Sequence, residues 1–334
     1  MDRTGAACYV YAKASGMLAK SFVGSKAVKL FNVKSLQELW SLLFTDEVPA
    51  VPQTILAQEI EKKAAQKFIN EYKMLVSSYS KPAPVLLDLL QWFDYENIKN
   101  AGAKLAANNF GEIEFQSIKP YNILNYDKWP DIARMTSGTE LSWYNKVPLT
   151  EEVNLLANSV DTQFIKKIWS SIQKLPKPER EVARNIIAKH YSLMNITWAM
   201  RLKVFYNMDA DKISEHLIYL DDKKSCADLF AGDALKILDY KIDLFDDWAK
   251  FKYVKLLNNN DDGKFWKLDP LYFEEQVSKE FASSMKREFH KNPFTSMVLI
   301  TWFFIKREEL TNIRTATEAI RLNIDTDLFI KSIV

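Results

Sequence analysis

The residues best suited to chemistry in this sequence are three histidines and two cysteines, which are common zinc ligands. A zinc site needs such side chains at short, fixed spacings, so that several of them reach one ion. His190, His216 and His290 have no histidine or cysteine at such a spacing. We interpret them as single imidazoles on the surface or in the core, and the sequence predicts no metal site.

The cysteines, Cys8 and Cys226, indicate the redox compartment instead. Two cysteines in 334 residues cannot build a framework of disulfides, and such sparse use is typical of a reducing compartment. The N-terminal residues also lack an apolar run of signal-peptide length. We therefore expect two buried thiols in a chain that stays inside the cell.

Nucleotide hydrolysis would need a glycine-rich turn that holds phosphate. The nearest match, GSK at residues 24–26, lacks the upstream glycine and the final lysine–serine or lysine–threonine pair. The acid pairs Asp221–Asp222 and Asp246–Asp247 have no histidine or lysine that the sequence places as a catalytic companion. We predict that the chain is not an enzyme, binds no cofactor and does not itself hydrolyse ATP.

One loop comes closer to a metal site. The stretch Asn258–Asp269 (NNNDDGKFWKLD) has oxygen-bearing side chains and Gly263 at the spacing of a calcium-binding EF-hand loop. However, the last position is the short Asp269 instead of glutamate, and Pro270 disfavours helical geometry at Asp269, where the exit helix should begin. We favour a polar turn between helices, with calcium binding as the alternative.

A different pattern recurs along the chain: an asparagine followed by isoleucine in ENIKN, MNITW and TNIRT. The asparagines Asn97, Asn195 and Asn312 are 98 and 117 residues apart, which is the scale of a domain. Asparagine is a poor helix former because its amide competes for backbone hydrogen bonds. We predict that each caps or pins a neighbouring segment, with direct contact to a partner as the alternative. The isoleucines that follow are Ile98, Ile196 and Ile313.

The elements that position these residues are predicted to be helices. Eight glycines and eleven prolines are few for a fold with many tight turns. Ser35–Leu43 shows the helical pattern, with Ser35 at the N-cap, Glu38 as its capping-box partner and leucines on one face. Thr150–Val160 and residues 176–196 show similar spacing. Only Gly111–Ile118 alternates like a strand, so we predict an all-α chain.

The most apolar stretch, Phe294–Ile305, contains 12 residues. A bilayer span needs roughly 20, so we predict a core helix. The 45 basic and 43 acidic residues leave a net charge of +2, which gives no overall field that would attract nucleic acid or anionic lipid. Any partner must therefore be recognised locally.

The C-terminal stretch of the sequence resembles a known family, the rotor-stalk C or d subunit of archaeal and vacuolar-type ATPases. The stretch IKREELTNIRTATEAIRLNIDTDLFIKSIV is similar to the family's Lys-Glu-x-Glu-x-x-Asn-Ile-Arg signature, although Arg307 stands where glutamate is usual. DYENIKNAGAKLAAN and the opening YVYAKASGML also resemble the family. The signature positions that match are Asp94, Asn97, Ile98, Lys99, Lys306, Glu309, Asn312, Ile313 and Arg314. Asn195 and Ile196 are the corresponding asparagine and isoleucine in the middle of the chain.

This resemblance implies an all-α protein of three similar helical domains in a pseudo-threefold, funnel-shaped arrangement, which we expect at residues 1–115, 116–215 and 216–334. It implies a non-catalytic socket between rotor-shaft subunits of the D and F type on one face and the membrane ring of proteolipid subunits on the other. One copy per complex is expected on the cytoplasmic face of a membrane. The alternative is a generic all-helical scaffold unrelated to rotary ATPases.

Overall fold

The computed structural model describes residues 3–221, 224–259 and 265–325 together with residue 330, and its regular elements within those ranges are helices. The all-α fold class is therefore confirmed. Short 3-10 helices cover Gly24–Ala27, Tyr126–Lys128, Thr150–Glu152 and Val254–Leu256. The α-helices are α1 (Arg3–Leu18), α2 (Val28–Phe31), α3 (Leu36–Leu43), α4 (Gln53–Val76), α5 (Pro84–Leu90), α6 (Trp92–Ala106), α7 (Ile132–Thr136), α8 (Val153–Ile172), α9 (Lys177–Phe205), α10 (Ala210–Glu215), α11 (Gly232–Lys236), α12 (Phe245–Trp248), α13 (Pro270–Lys291) and α14 (Met297–Arg321).

The chain forms two compact units, one of them made of Met1–Leu175 and Met285–Val334 and the other of Pro176–Ser284. The division into three repeat units stays a prediction. In the first unit α14 packs along α4, and α6 packs on α8. Aromatic rings fill the α4–α14 contact: the ring centroids of Phe68 and Phe303 are 5.3 Å apart, and those of Tyr72 and Trp302 are 5.8 Å apart. Such ring pairs add to the stability gained from buried area.

The predicted core helix forms, but it begins at Met297 instead of Phe294, which is exposed. Every side chain from Met297 to Ile305 is buried. A helix that is apolar on all sides belongs in a core or a membrane, and here α1, α2, α3, α4 and α5 all pack against α14. None of the described helices has the length and hydropathy needed to cross a membrane.

The second unit is built around α9, against which α10 and α11 pack. Pro176 and Pro178 suit the first turn of α9, because a proline nitrogen has no hydrogen to leave unpaired there. The buried core of this unit is mostly aliphatic and also contains the aromatic rings of Trp248, Phe251 and Phe273.

The predicted cap of α3 forms, with one difference. The Ser35 side chain accepts a hydrogen bond from the Glu38 backbone N–H at 3.2 Å, as expected. The Glu38 carboxylate accepts from the backbone N–H of Lys34 at 2.7 Å instead of that of Ser35. The reciprocal bond of the capping box therefore reaches one residue further back along the chain.

The strand-like pattern leads to no strand, and one expectation about individual residues is wrong. Gly111–Ile118 forms no strand, because alternation makes a strand only where a second extended segment lies beside it. Cys8 and Cys226 are exposed instead of buried. Cys8 lies on the outer side of α1, whose inner side is formed by Ala6, Ala7 and Val10, and Cys226 lies in a loop before α11.

Candidate functional site

The first recurring asparagine holds the segment whose alternation resembles that of a strand. Asn97 on α6 is 4% exposed. Its side-chain nitrogen Nδ2 donates to the carbonyl of Gln116 at 2.9 Å, and its Oδ1 accepts from the N–H of the same residue at 3.1 Å. The amide therefore satisfies both backbone groups of one residue, as a neighbouring strand would do.

A buried carboxylate extends this contact. Asp94, one turn before Asn97, is fully buried. It accepts the backbone N–H of Ile123 at 2.6 Å and the hydroxyl of Tyr126. The same hydroxyl accepts from Asn97 Nδ2 at 2.6 Å. Two side chains of one helix turn thus fix the loop from Gln116 to Tyr126.

The second asparagine makes the same pair of bonds in the other unit. Asn195 on α9 is 1% exposed. Its Nδ2 donates to the carbonyl of Ile218 at 2.7 Å, and its Oδ1 accepts from the N–H of Ile218 at 2.9 Å. Ile218 follows α10 and lies in a segment without regular structure. The physical role is that of Asn97: the amide pins an irregular segment to a helix.

In the third case two side chains share the task. Asn312 Nδ2 donates to the carbonyl of Phe22 at 3.3 Å, and the Phe22 N–H donates to Glu309 Oε1 at 2.7 Å. Glu309 is one turn before Asn312 on α14. Phe22 lies near the N-terminus, 290 residues before Asn312, whereas the first two asparagines bind segments 19 and 23 residues downstream.

Glu309 belongs to a small buried ionic cluster. Lys306 is 6% exposed, and its Nζ forms an ion pair with Glu309 and lies 3.3 Å from Glu71 Oε2 on α4. The same Nζ lies 3.3 Å from the hydroxyl oxygen of Ser21. A buried charge is strongly destabilising unless it is paired. The cluster therefore specifies how α4, α14 and the segment at Ser21 and Phe22 meet.

The remaining signature residues are structural in their contacts. Lys99 forms ion pairs with Glu96 and with Asp161 on α8, both at 2.7 Å. Arg314 forms one with Glu61 on α4 at 3.1 Å. The isoleucines that follow the asparagines lie in the core; they are Ile98, Ile196 and Ile313. Whether any of these residues contacts a partner stays a prediction.

Sequence reasoning did not identify the backbone partners Gln116, Ile218 and Phe22. Nearly every residue has a backbone carbonyl and N–H, so the residue type does not reveal which of them will be bound. It also did not give Glu309 its role in the third contact. The similar downstream distances of the first two partners could have suggested a fixed loop after each helix. No such signal existed for Phe22, which is distant in sequence.

The calcium alternative at Asn258–Asp269 falls partly on residues 260–264, which lie outside the described part of the chain. The two ends of the loop have other partners. Asn258 Oδ1 accepts from the N–H of Asp269 at 3.0 Å, and Asp269 Oδ1 accepts the N–H groups of Leu271 and Tyr272 at the start of α13. Elsewhere in the described ranges no three potential ligands are grouped around a common point.

Each of the three recurring asparagines thus binds the backbone of an irregular segment, the third together with Glu309. The sequence model of a family described as ATP synthase (C/AC39) subunit matches residues 10–331. The chain belongs to this family. The match extends over nearly the whole length of this C/AC39 protein and includes all three asparagine helices.

One relative matches with similar coverage. A protein of Treponema pallidum (strain Nichols) called "Uncharacterized protein" is 25% identical over 320 residues. The aligned part is 96% of this chain and 94% of that protein. The likeness therefore extends along both chains and is not confined to the signature of α14.

Replacing Asn195 tests the contact between helix and segment. Asn195→Ala leaves the N–H and carbonyl of Ile218 without protein partners, so we expect a loss of about 2–3 kcal/mol in the free energy of unfolding. Amide hydrogen exchange at Ile218 should accelerate. Asn195→Asp should destabilise at least as much as Asn195→Ala, because its buried carboxylate has no cation among the described side chains and its oxygen replaces the donor that faces the carbonyl of Ile218. The matched control is Asn185→Ala on the exposed side of the same helix; equal exchange at Ile218 in both alanine variants would contradict the role of Asn195.

Asp94 gives the first unit a predictable dependence on pH. Burial raises the pKa of its carboxyl to about 6 from an ordinary 3.8, although the hydroxyl of Tyr126 and the N–H of Ile123 favour the charged form. The folded protein therefore binds more protons than the unfolded chain between these pH values. The free energy of unfolding should fall, by roughly 3 kcal/mol, as the pH rises from about 4 to above 6.

Denaturant unfolding from pH 4 to 7.5 measures this effect. Asp94→Asn cannot titrate, so the stability difference between wild type and variant should shrink or reverse as the pH rises. The control is Asp127→Asn, at an exposed position in the same loop, whose curve should run parallel to that of the wild type. Parallel curves for Asp94→Asn as well would show that Asp94 does not titrate in this range.

Calorimetry tests the absence of a nucleotide or metal role. The purified chain should bind neither ATP nor zinc at micromolar concentration, because the sequence offers no phosphate cradle and no cluster of zinc ligands. Calcium is included in the same titrations because of the Asn258 loop. Stoichiometric heat with any of the three would overturn the corresponding expectation.

Proposed function

We propose that this chain is the non-catalytic central-stalk subunit of a rotary ATPase of the V or A type, a socket that couples the rotor shaft to the ion-translocating membrane ring. The observation that carries the proposal is the family match over residues 10–331. A role next to a membrane does not require a membrane-spanning helix, and none occurs among the described helices.

The partners follow from the same family. We expect rotor-shaft subunits of the D and F type on one face and the ring of proteolipid subunits on the other, with one copy of this chain per complex at the cytoplasmic face of the membrane. Such contacts should combine charged and apolar side chains, because separate subunits must dock without sharing one continuous core. Nucleic acid is not an expected partner.

We further propose three similar helical units about a pseudo-threefold axis, at residues 1–115, 116–215 and 216–334. Support comes from the three contacts in which a helical asparagine binds the backbone of one residue in an irregular segment. The third contact is completed by Phe22, so the N-terminal segment supplies to α14 what the downstream loops supply to α6 and α9. An experimental structure in which the helices around Asn97, Asn195 and Asn312 do not superpose would contradict the three units.

The asparagine contacts also suit the mechanical task. A part that transmits torque must not yield between its helices and its irregular segments, and side-chain bonds to buried backbone groups resist such movement. The segments at Gln116, Ile218 and Phe22 are each fastened to a long helix by these bonds. These segments are held rigidly against the helices, whereas a flexible tether would consist of glycine- and serine-rich linkers.

The generic scaffold was the alternative drawn from sequence, on the basis that the likeness to the family was accidental. The match over residues 10–331 removes that basis. A rotor subunit differs from any other helical adaptor in the proteins with which it assembles. Affinity purification of this chain from solubilised membranes should therefore recover the catalytic and proteolipid subunits of the ATPase.

Reconstituted vesicles test the coupling role directly. When this chain is left out, ATP hydrolysis by the catalytic head should persist, while ATP-driven transport of protons or sodium ions should fall to the background rate, because torque no longer reaches the ring. Adding back the wild-type chain should restore transport. Asn185→Ala, an exposed substitution, serves as the matched control and should restore transport equally.

Two outcomes would contradict this proposal. Unchanged ion pumping without the chain would exclude a coupling role. Loss of hydrolysis by the isolated head would indicate a catalytic or assembly role instead.

A further inference from the structure

The N-terminal part of the chain has an unusual charge distribution. Residues 3–37 contain six basic and no acidic side chains. Acidic residues are 43 of 334 in the chain, so a stretch of this length would be expected to hold about four or five. The near-neutral net charge of the whole protein therefore hides a local positive region. The basic residues are Arg3, Lys13, Lys20, Lys26, Lys29 and Lys34.

Three of these lysines lie close together around the end of α1; we call Lys20, Lys26 and Lys29 the lysine patch. Lys26 Nζ donates to the carbonyl of Ala19 at 2.5 Å, which places it beside Lys20. Lys26 and Lys29 are three residues apart in consecutive helical turns, so they lie on one side. All three side chains are exposed.

The lysine patch has no ion pair within the described part of the chain, and the nearby carboxylate of Glu308 interacts with the backbone of Gly24 and with Lys286. No ion pair joins Lys20, Lys26 or Lys29 to a described acidic residue, whereas Lys62 and Lys189, also on the surface, each pair with a carboxylate at 2.7 Å. The negative end of the α1 dipole accounts for a cation near Ala19. It does not account for Lys29, which lies on α2.

The backbone beneath the patch is held firmly. Phe22 is bonded through its N–H to Glu309 and through its carbonyl to Asn312. The hydroxyl of Ser21 donates to the carbonyl of Met17 at 3.2 Å and lies 3.3 Å from Lys306 Nζ. A surface fixed before binding loses less conformational entropy when a partner docks. The lysines are therefore presented on a preorganised segment.

The chemistry of the patch favours one class of partner. No large apolar side chain is among the exposed ones between Ala19 and Ser35, so the patch lacks the aromatic or aliphatic residues with which peripheral proteins commonly enter a bilayer. Ammonium groups alone match a carboxylate-rich surface, and such complementarity sets orientation and association rate. We propose that the lysine patch is a docking surface for an acidic protein surface of another subunit of the rotary complex; this rests on the proposed function.

Binding to ATPase membranes from which this chain has been removed tests the inference. The wild-type chain should bind, and its affinity should fall as salt rises from 50 to 300 mM, roughly the range over which Debye screening suppresses exposed charge pairs. The variant Lys20→Glu, Lys26→Glu and Lys29→Glu should bind at least about tenfold more weakly. The matched control, Lys174→Glu, Lys177→Glu and Lys255→Glu, changes the net charge equally at exposed positions elsewhere and should bind like the wild type. Thermal unfolding of each variant verifies that it is folded.

The outcomes separate this inference from the proposed function. Failure of the wild-type chain to bind these membranes would reject the proposed function and this inference with it. If the wild type binds and the patch variant binds equally well, only the role of the lysine patch is rejected. The same holds if the control variant loses as much affinity as the patch variant. The last measurement uses vesicles of phosphatidylcholine with phosphatidylserine. The inference would be overturned if the wild type bound these vesicles in a salt-sensitive way and the patch variant lost this binding but kept its binding to the ATPase membranes. The patch would then be assigned to lipid.

Discussion

The structure depends on one interaction, the hydrogen bonding of irregular backbone by side chains of a helix. A buried peptide group that lies outside helices and strands must still find a donor and an acceptor, or it loses the hydrogen bonds that water gave it. Asparagine provides both from one short side chain. Asn97 and Asn195 use both functions on a single residue, and Asn312 shares the task with Glu309. The helices can then carry long irregular segments without a sheet.

The third contact differs from the others in chemistry and in cost. Glu309 is acidic, and the desolvation of a buried carboxylate can be offset by a nearby cation. Lys306 supplies it and also approaches Glu71 on α4. The price of this arrangement is desolvation of several charges, and its result is specificity in how α14, α4 and the N-terminal segment meet. The residues that resemble the family signature most closely are therefore the ones that join the two ends of the chain.

The interior and the surface have separate tasks in the proposed rotor subunit. Buried contacts fix segments to helices, which a stiff part requires, while the lysines above Phe22 are left with no described acidic partner. A firmly held segment that carries exposed charge is suited to recognise another subunit in one orientation. The same side chains on a mobile tail would give attraction with little geometric preference.

The sequence by itself determined the helical class, the existence of the apolar core helix that begins at Met297 and the cap at Ser35, because helix periodicity, apolar length and capping chemistry are local properties. It also indicated that the recurring asparagines pin something. Only the tertiary structure decided what they pin, because a backbone carbonyl carries no residue-type signal and Phe22 is 290 residues from Asn312. For the same reason local alternation at Gly111–Ile118 did not make a strand: an extended segment becomes a strand only beside another, and the fold placed a helix and its asparagine there instead.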